Sequence, residues 1–174
     1  MRLPPTCRQL TTMKPIDTAA LMSLCAEAAA APRLRKNQNL HAELDDPVQR
    51  LLNAFEPGTY LRPHRHAEPP KWELFVILTG HAAVLTFAAD GSVLERIELN
   101  ADGGARIVEI PEAAWHTLVA LAPQTVLFEV KRGPYLPNPP QDVAAWAPPE
   151  GAARAAEFER WYRVAAPGDL PPLL

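Results

Sequence analysis

The sequence predicts an all-β core, an antiparallel sandwich or barrel, with one helix ahead of it and one behind. Three observations carry that reading. Between Val48 and Lys131, short runs rich in Val, Ile, Leu, Phe and Thr alternate with the turn signals Pro57-Gly58, Gly80, Asp90-Gly91, Gly103-Gly104 and Pro123. Short strands at that spacing indicate an antiparallel architecture. Ahead of them, Leu21, Leu24, Cys25 and Ala28 recur at helical spacing behind Asp17 and Thr18, either of which can cap a helix. Behind them, Ala155, Phe158, Trp161 and Tyr162 form an apolar stripe of the kind a helix presents to a core.

In chain order, residues 1–14 lack periodicity and are expected to be a flexible tail. Residues 15–47 carry the first helix, ended by Pro32, the basic run Arg33-Leu34-Arg35-Lys36, an extended stretch Asn37–His41 and the turn Asp45-Asp46-Pro47. Residues 48–135 form the barrel. Within it Asp90-Gly91 signals a two-residue hairpin, and Trp72–Thr79 is apolar on both faces, so it should be covered by a helix or by a partner subunit. Toward the C-terminus the prolines cluster in Pro134–Pro149 and Pro167–Pro172, which keeps those parts of residues 136–174 out of sheets and helices. They are read as an extended strap over the barrel and a loose end, with the last helix at about Gly151–Arg163. No repeat and no second domain is expected.

The bulk numbers narrow the class. At 174 residues, nearly half of them apolar, the chain can bury a single core without disulfides. Cys7 and Cys25 match no metal motif and are read as inert thiols. A formal net charge of −3 gives no reason to expect nucleic acid or an anionic membrane as partner. With no signal-peptide-like run and no stretch of about 18 apolar residues, the protein is expected to be soluble and cytoplasmic.

The chemistry concentrates in a few residues. His64 and His66 flank Arg65, and alternate side chains of a strand share a face. Glu73 opens the next strand, and His116 follows the turn Pro111–Ala114. Three neutral imidazoles and one carboxylate suit a divalent transition ion such as Zn, Fe, Ni, Mn or Cu. Glu68 lies nearer to His66 and could replace Glu73, though no strand follows it. His81, next to Gly80, is expected to be exposed.

These spacings resemble the two motifs of the cupin superfamily. The first runs Gly58, five residues, His64-Arg65-His66, then Glu73 and Gly80, with the loop Ala67–Lys71 longer than usual. The second runs from Pro111 to His116, with Ala113 where the motif has glycine and Ala120 where it has asparagine. Further segments, among them Asp46–Asn53, Arg62–His66, Lys71-Trp72-Glu73, Gly133-Pro134-Tyr135 and Trp146-Ala147-Pro148, are similar to the WbuC-type cupin-fold metalloproteins across about residues 15–163. The resemblance implies a double-stranded β-helix (jelly-roll) barrel holding one metal ion through His64, His66, Glu73 and His116. It also implies a gene-context link to O-antigen and surface-polysaccharide biosynthesis, and commonly a homodimer.

Around that centre, Asn37, Asn39 and His41 are candidates for the barrel mouth, with a solvated edge strand as the equal alternative. Arg62 shares the parity of His64 and is a candidate for an anionic group. Lys71 is a candidate substrate cation, and Phe75 a lining residue. Glu129 and His41 are the candidate catalytic groups. Glu129 is a general base if its parity faces inward and a surface partner of Lys131 otherwise, which is the favoured reading. Trp115 is expected on the outer face. The function expected is a metal-dependent enzyme on a small polar metabolite, a sugar or nucleotide-sugar. The alternatives are a non-catalytic binding module and an iron-dependent dioxygenase.

Overall fold

A computed structural model describes residues 13–173. Most of the expected tail, with Cys7, lies outside the described residues. Eight strands and two α-helices follow in order: α1 (Thr18–Ala30), β1 (Arg35–Asn39), β2 (Val48–Phe55), β3 (Glu73–Thr79), β4 (His81–Phe87), β5 (Val93–Asn100), β6 (Ile107–Ile110), β7 (Trp115–Ala120), β8 (Thr125–Arg132) and α2 (Ala155–Val164).

One sheet has the order β1-β2-β8-β3-β6 and the other β5-β4-β7. The His64 segment extends the second sheet through an antiparallel bridge to His116. The pairs are therefore nested: β2 with β8, the His64 segment with β7, β3 with β6, and β4 with β5. That nesting defines the double-stranded β-helix, a jelly-roll barrel of two facing sheets. The fold class is the one the sequence predicts.

Four layers result. Phe55, Phe75, Ile77, Val84, Leu99, Leu118 and Leu127 fill the space between the sheets. Leu24, Cys25 and Ala28 of α1 pack on Leu52, Ala54 and Val126 outside the first sheet. Phe158 and Tyr162 of α2 pack on Ala83, Leu85, Phe87 and Val119 outside the second. Asp17 caps α1, accepting from the Ala20 amide at 2.9 Å. Gly80, with φ of +78°, turns β3 into β4 where a Cβ would meet Thr125 Cα at 2.6 Å, so only glycine fits.

Three expectations are corrected. The Asp90-Gly91 hairpin is not a two-residue turn, because Ala88 and Ser92 close a longer loop through a 2.9 Å backbone bond. The final helix begins at Ala155, because Gly151 takes a φ of +80° that interrupts the helix before it can start there. Gly168 and Asp169 are not part of a loose end: Gly168 donates to Val93 at 2.8 Å and Val93 to Asp169 at 2.9 Å.

Candidate metal centre

Backbone pairing builds the centre. His64 and His116 exchange backbone hydrogen bonds at 3.0 and 2.9 Å, which sets their imidazoles side by side, with ring centroids 4.6 Å apart. His66 follows two residues on. From the opposite sheet Glu73, the first residue of β3, reaches across to them. The loop Ala67–Lys71 closes on itself, Lys71 donating to the His66 carbonyl at 3.2 Å, so its extra residues do not displace Glu73. Ala113 carries the left-handed φ of +61° that glycine would supply in the motif, and the turn before His116 keeps its form.

One donor atom from each of His64, His66, Glu73 and His116 lies within 4.8 Å of the others. The residues fit a metal ion on two further grounds. Nδ1 of His64 faces the Arg62 carbonyl at 3.2 Å and that of His116 the Ala114 carbonyl at 2.9 Å. A carbonyl can only accept, so both Nδ1 atoms carry hydrogen and their Nε2 lone pairs are free to ligate. In addition, buried Nε2 of His66 and of His116 lacks a hydrogen-bond partner, although Glu73 oxygens stand 2.8 and 3.2 Å away. Lone pairs converging without a bridging proton call for a cation.

Charge follows geometry. Burial, reinforced by the neighbouring His116, pushes His64 down to about 3, so it is neutral at pH 7. Burial alone would raise the Glu73 carboxyl, but the polar contacts at its oxygens, among them the Lys131 ammonium at 2.8 Å, outweigh it and hold it well below the usual range.

Glu129, favoured from sequence as a surface residue, faces the barrel interior at 7 % exposure. The sequence misled because the apolar parity of β8 faces outward: Val126 and Phe128 pack against α1, while the inner parity carries Leu127 in the core and then the charged Glu129 and Lys131. Lys131 Nζ lies 2.6 Å from Glu129 and 2.8 Å from Glu73, and Asn53 donates to Glu129 at 2.7 Å. Burial and the Glu73 charge raise the Glu129 carboxyl, against the opposing pull of Lys131 and Asn53. Lys131 stays charged because the two carboxylates overcome its own desolvation.

A cavity of about 450 Å³ opens on this array; His64, Glu73, His116, Glu129, Lys131 and Asn53 all line it, together with Asn37 and Phe75. A smaller recess of about 120 Å³ is lined by Lys71, His66 and Gln49 and shares His64, Lys131 and Tyr135 with the larger cavity. Lys71 donates to the Pro134 carbonyl at 2.5 Å.

Other candidates lie elsewhere. Arg62 turns to the strap, donating to the Ala144 carbonyl at 3.1 and 2.7 Å, because Pro63 breaks the strand parity that would have aimed it inward. His41 is buried beside Arg50, its Nδ1 3.0 Å from both backbone polar atoms of that residue, outside the lining of the cavity. Asn39 is exposed on edge strand β1. Glu68 is exposed outside the cluster. His81 sits at the surface, 3.0 Å from Glu98. Trp115 faces outward beneath the Arg65 guanidinium, 4.6 Å from its ring centroid.

The sequence reading missed Asp142. This buried strap residue binds the Arg65 side chain at 2.8 Å and the Ala67 amide at 3.3 Å, and its carbonyl accepts from the Arg65 amide at 2.9 Å. It braces the segment between the first two histidines. An acidic residue in a proline-rich strap offers no local signal of that role.

The family described as "Domain of unknown function (DUF6016)" matches residues 16–99. No curated protein matches the chain. KdgF from Halomonas sp. is 18 % identical over 59 % of this chain and 80 % of its own, with a TM-score of 0.45. A cupin superfamily protein from Desulfitobacterium hafniense is 16 % identical over 56 % and 76 %, at 0.44. Oxalate decarboxylase from Lactobacillus farciminis is 17 % identical over 58 % of this chain and 29 % of its own, at 0.45. These likenesses are too remote to carry function, and the fold assignment rests on the nested strand pairing itself.

Proposed function

We propose that this protein is a metal-dependent enzyme acting on a small oxygen-bearing metabolite. The observation that carries the reading is that Glu129, held by Lys131 and Asn53, shares one cavity with the four-residue cluster. A divalent ion there supplies positive charge beside a carbonyl or hydroxyl oxygen of the ligand. Glu129, its carboxyl raised by burial, takes a proton from the carbon next to that carbonyl and returns it. The electron pair moves onto the carbonyl oxygen in the first step and back in the second. Lys131 keeps Glu129 aimed into the cavity. The sequence resemblance to WbuC-type proteins suggests a sugar or nucleotide-sugar of surface-polysaccharide synthesis as substrate. It also suggests a homodimer, for which the exposed outer face of β3 and β6, with Leu78 and Ile107, is suited.

The test is deuterium incorporation from solvent into keto-sugars and 2-oxo acids by protein of known metal content. Exchange that Glu129→Gln abolishes while retaining the metal supports the reading. Ligand-dependent stabilisation without exchange would make it a binding module, and oxygen uptake restricted to the ferrous form would make it a dioxygenase.

A further inference from the structure

The cavity beside the cluster is two-sided in character. Its floor is apolar: Phe55, Leu61, Phe75 and Leu118, with Leu51 at one wall. Of its polar lining, the inner groups Asn53, Glu129 and Lys131 bond to one another, while Asn37 and Tyr135 are exposed. A sugar carries a hydroxyl on nearly every carbon, and each one buried without a partner costs about 1–3 kcal/mol. This floor would strand those that face it.

The charge balance points the other way from a neutral ligand. Three neutral imidazoles and one carboxylate leave a divalent ion with an excess of one positive charge. Glu129 and Lys131 cancel each other. At the rim, Arg33 and Arg35 share the single carboxylate of Glu150, at 3.2 and 2.6 Å, so the entrance is also positive. Positive charge lining an apolar-walled cleft draws anions in. Four protein donors also leave a six-coordinate ion two positions, enough for a chelating ligand.

We infer that the cavity takes a small carboxylate with an apolar body, branched or aromatic. Its carboxylate and an adjacent oxygen meet the metal, and its hydrocarbon part lies on Phe55, Phe75 and Leu118. This rests on the metal reading above and narrows the substrate to a chemical class. The cavity volume of about 450 Å³ lies within the range of small-molecule sites.

The test is calorimetric titration of manganese-loaded protein, with metal content measured first. Phenylpyruvate should bind at least tenfold more tightly than pyruvate, which lacks the apolar body, and than phenylacetone, which lacks the carboxylate. It should also outbind galacturonate and UDP-glucose. Leu51→Asn and, separately, Leu61→Asn should weaken phenylpyruvate several-fold and leave pyruvate unchanged. Protein that takes up metal but prefers either sugar ligand, or does not distinguish phenylpyruvate from pyruvate, overturns the inference while leaving the metal reading intact. Protein that takes up no metal removes both.

Discussion

Lys131 stands directly opposite Glu73 in the β3–β8 ladder, and its ammonium lies 2.8 Å from Glu73 Oε1. The same ammonium lies 2.6 Å from Glu129, so one cation separates two carboxylates inside the barrel. Removing one partner of a buried ionic group costs about 3–5 kcal/mol, because the remaining charges are left without compensation. Lys131→Met should therefore destabilise the metal-free protein by about that amount in urea unfolding. Adding Glu129→Gln should recover part of the loss, because it removes one of the two facing charges. Additive effects of the two substitutions would show that the pair is not coupled.

Ala113 occupies a left-handed conformation, φ +61°, that costs a side-chain-bearing residue about 1–2 kcal/mol. Against that stands the greater unfolded-state freedom of glycine, worth about 0.4–1 kcal/mol. Ala113→Gly should thus raise stability slightly, by roughly 0.5 kcal/mol, the reverse of the usual sign. A lower Tm for the variant would contradict the strained turn.

The metal cluster makes stability depend on the ion. A ligand at a hundredfold its Kd stabilises the folded state by about 2.7 kcal/mol, so chelation should lower the Tm of metal-replete protein measurably. His116→Ala and His64→Ala should each reduce metal content by elemental analysis and abolish the response to chelator. An unchanged melting curve with and without chelator would argue against an ion at this site.

Acid should weaken the metal-free fold. His64 is pushed down to about 3 when folded, whereas an unfolded histidine titrates near 6.5. Its contribution to stability is full above about pH 6.5 and declines toward pH 3, because only the unfolded chain gains the proton, at up to about 1.4 kcal/mol per pH unit. Glu73, lowered in the fold, acts in the same direction at still lower pH, while Glu129, raised, partly opposes both. The urea midpoint of the metal-free protein should fall between pH 7 and pH 5, and fall less in His64→Asn. A midpoint rising over that range would refute the assignment.

Phe158 of α2 is fully buried against Tyr162, Phe87 and Val119. Phe158→Ala should cost about 3–5 kcal/mol with metal content unchanged, since α2 packs on the outer face of the second sheet, away from the cluster. Loss of metal along with stability would show that the two sheets do not hold the site independently of α2.

Much of the fold was legible because periodicity and turn chemistry are local. The β-rich stretch, the helix capped by Asp17, and the inward pairing of His64 and His66 were readable from spacing alone. Glu129 was not, since α1 covers the outer face of β8 and makes that parity, Val126 and Phe128, the apolar one, so the charged parity looked like the exposed one. Arg62 was misjudged because Pro63 cancels the alternation on which its direction was inferred.

The amino-acid order by itself determined which side chains could ligate an ion and that Glu73 and His116 would lie on strands, whereas His64 and His66 sit in a bridged segment outside the named strands. Only the closed barrel decided that Glu73 crosses from one sheet to three histidines on the other. The barrel also drew Lys131 and Glu129 in beside them, and brought Asp142 of the strap to brace Arg65. The reason is physical: strand direction is encoded within a few residues, whereas contacts between sheets depend on how distant segments pair.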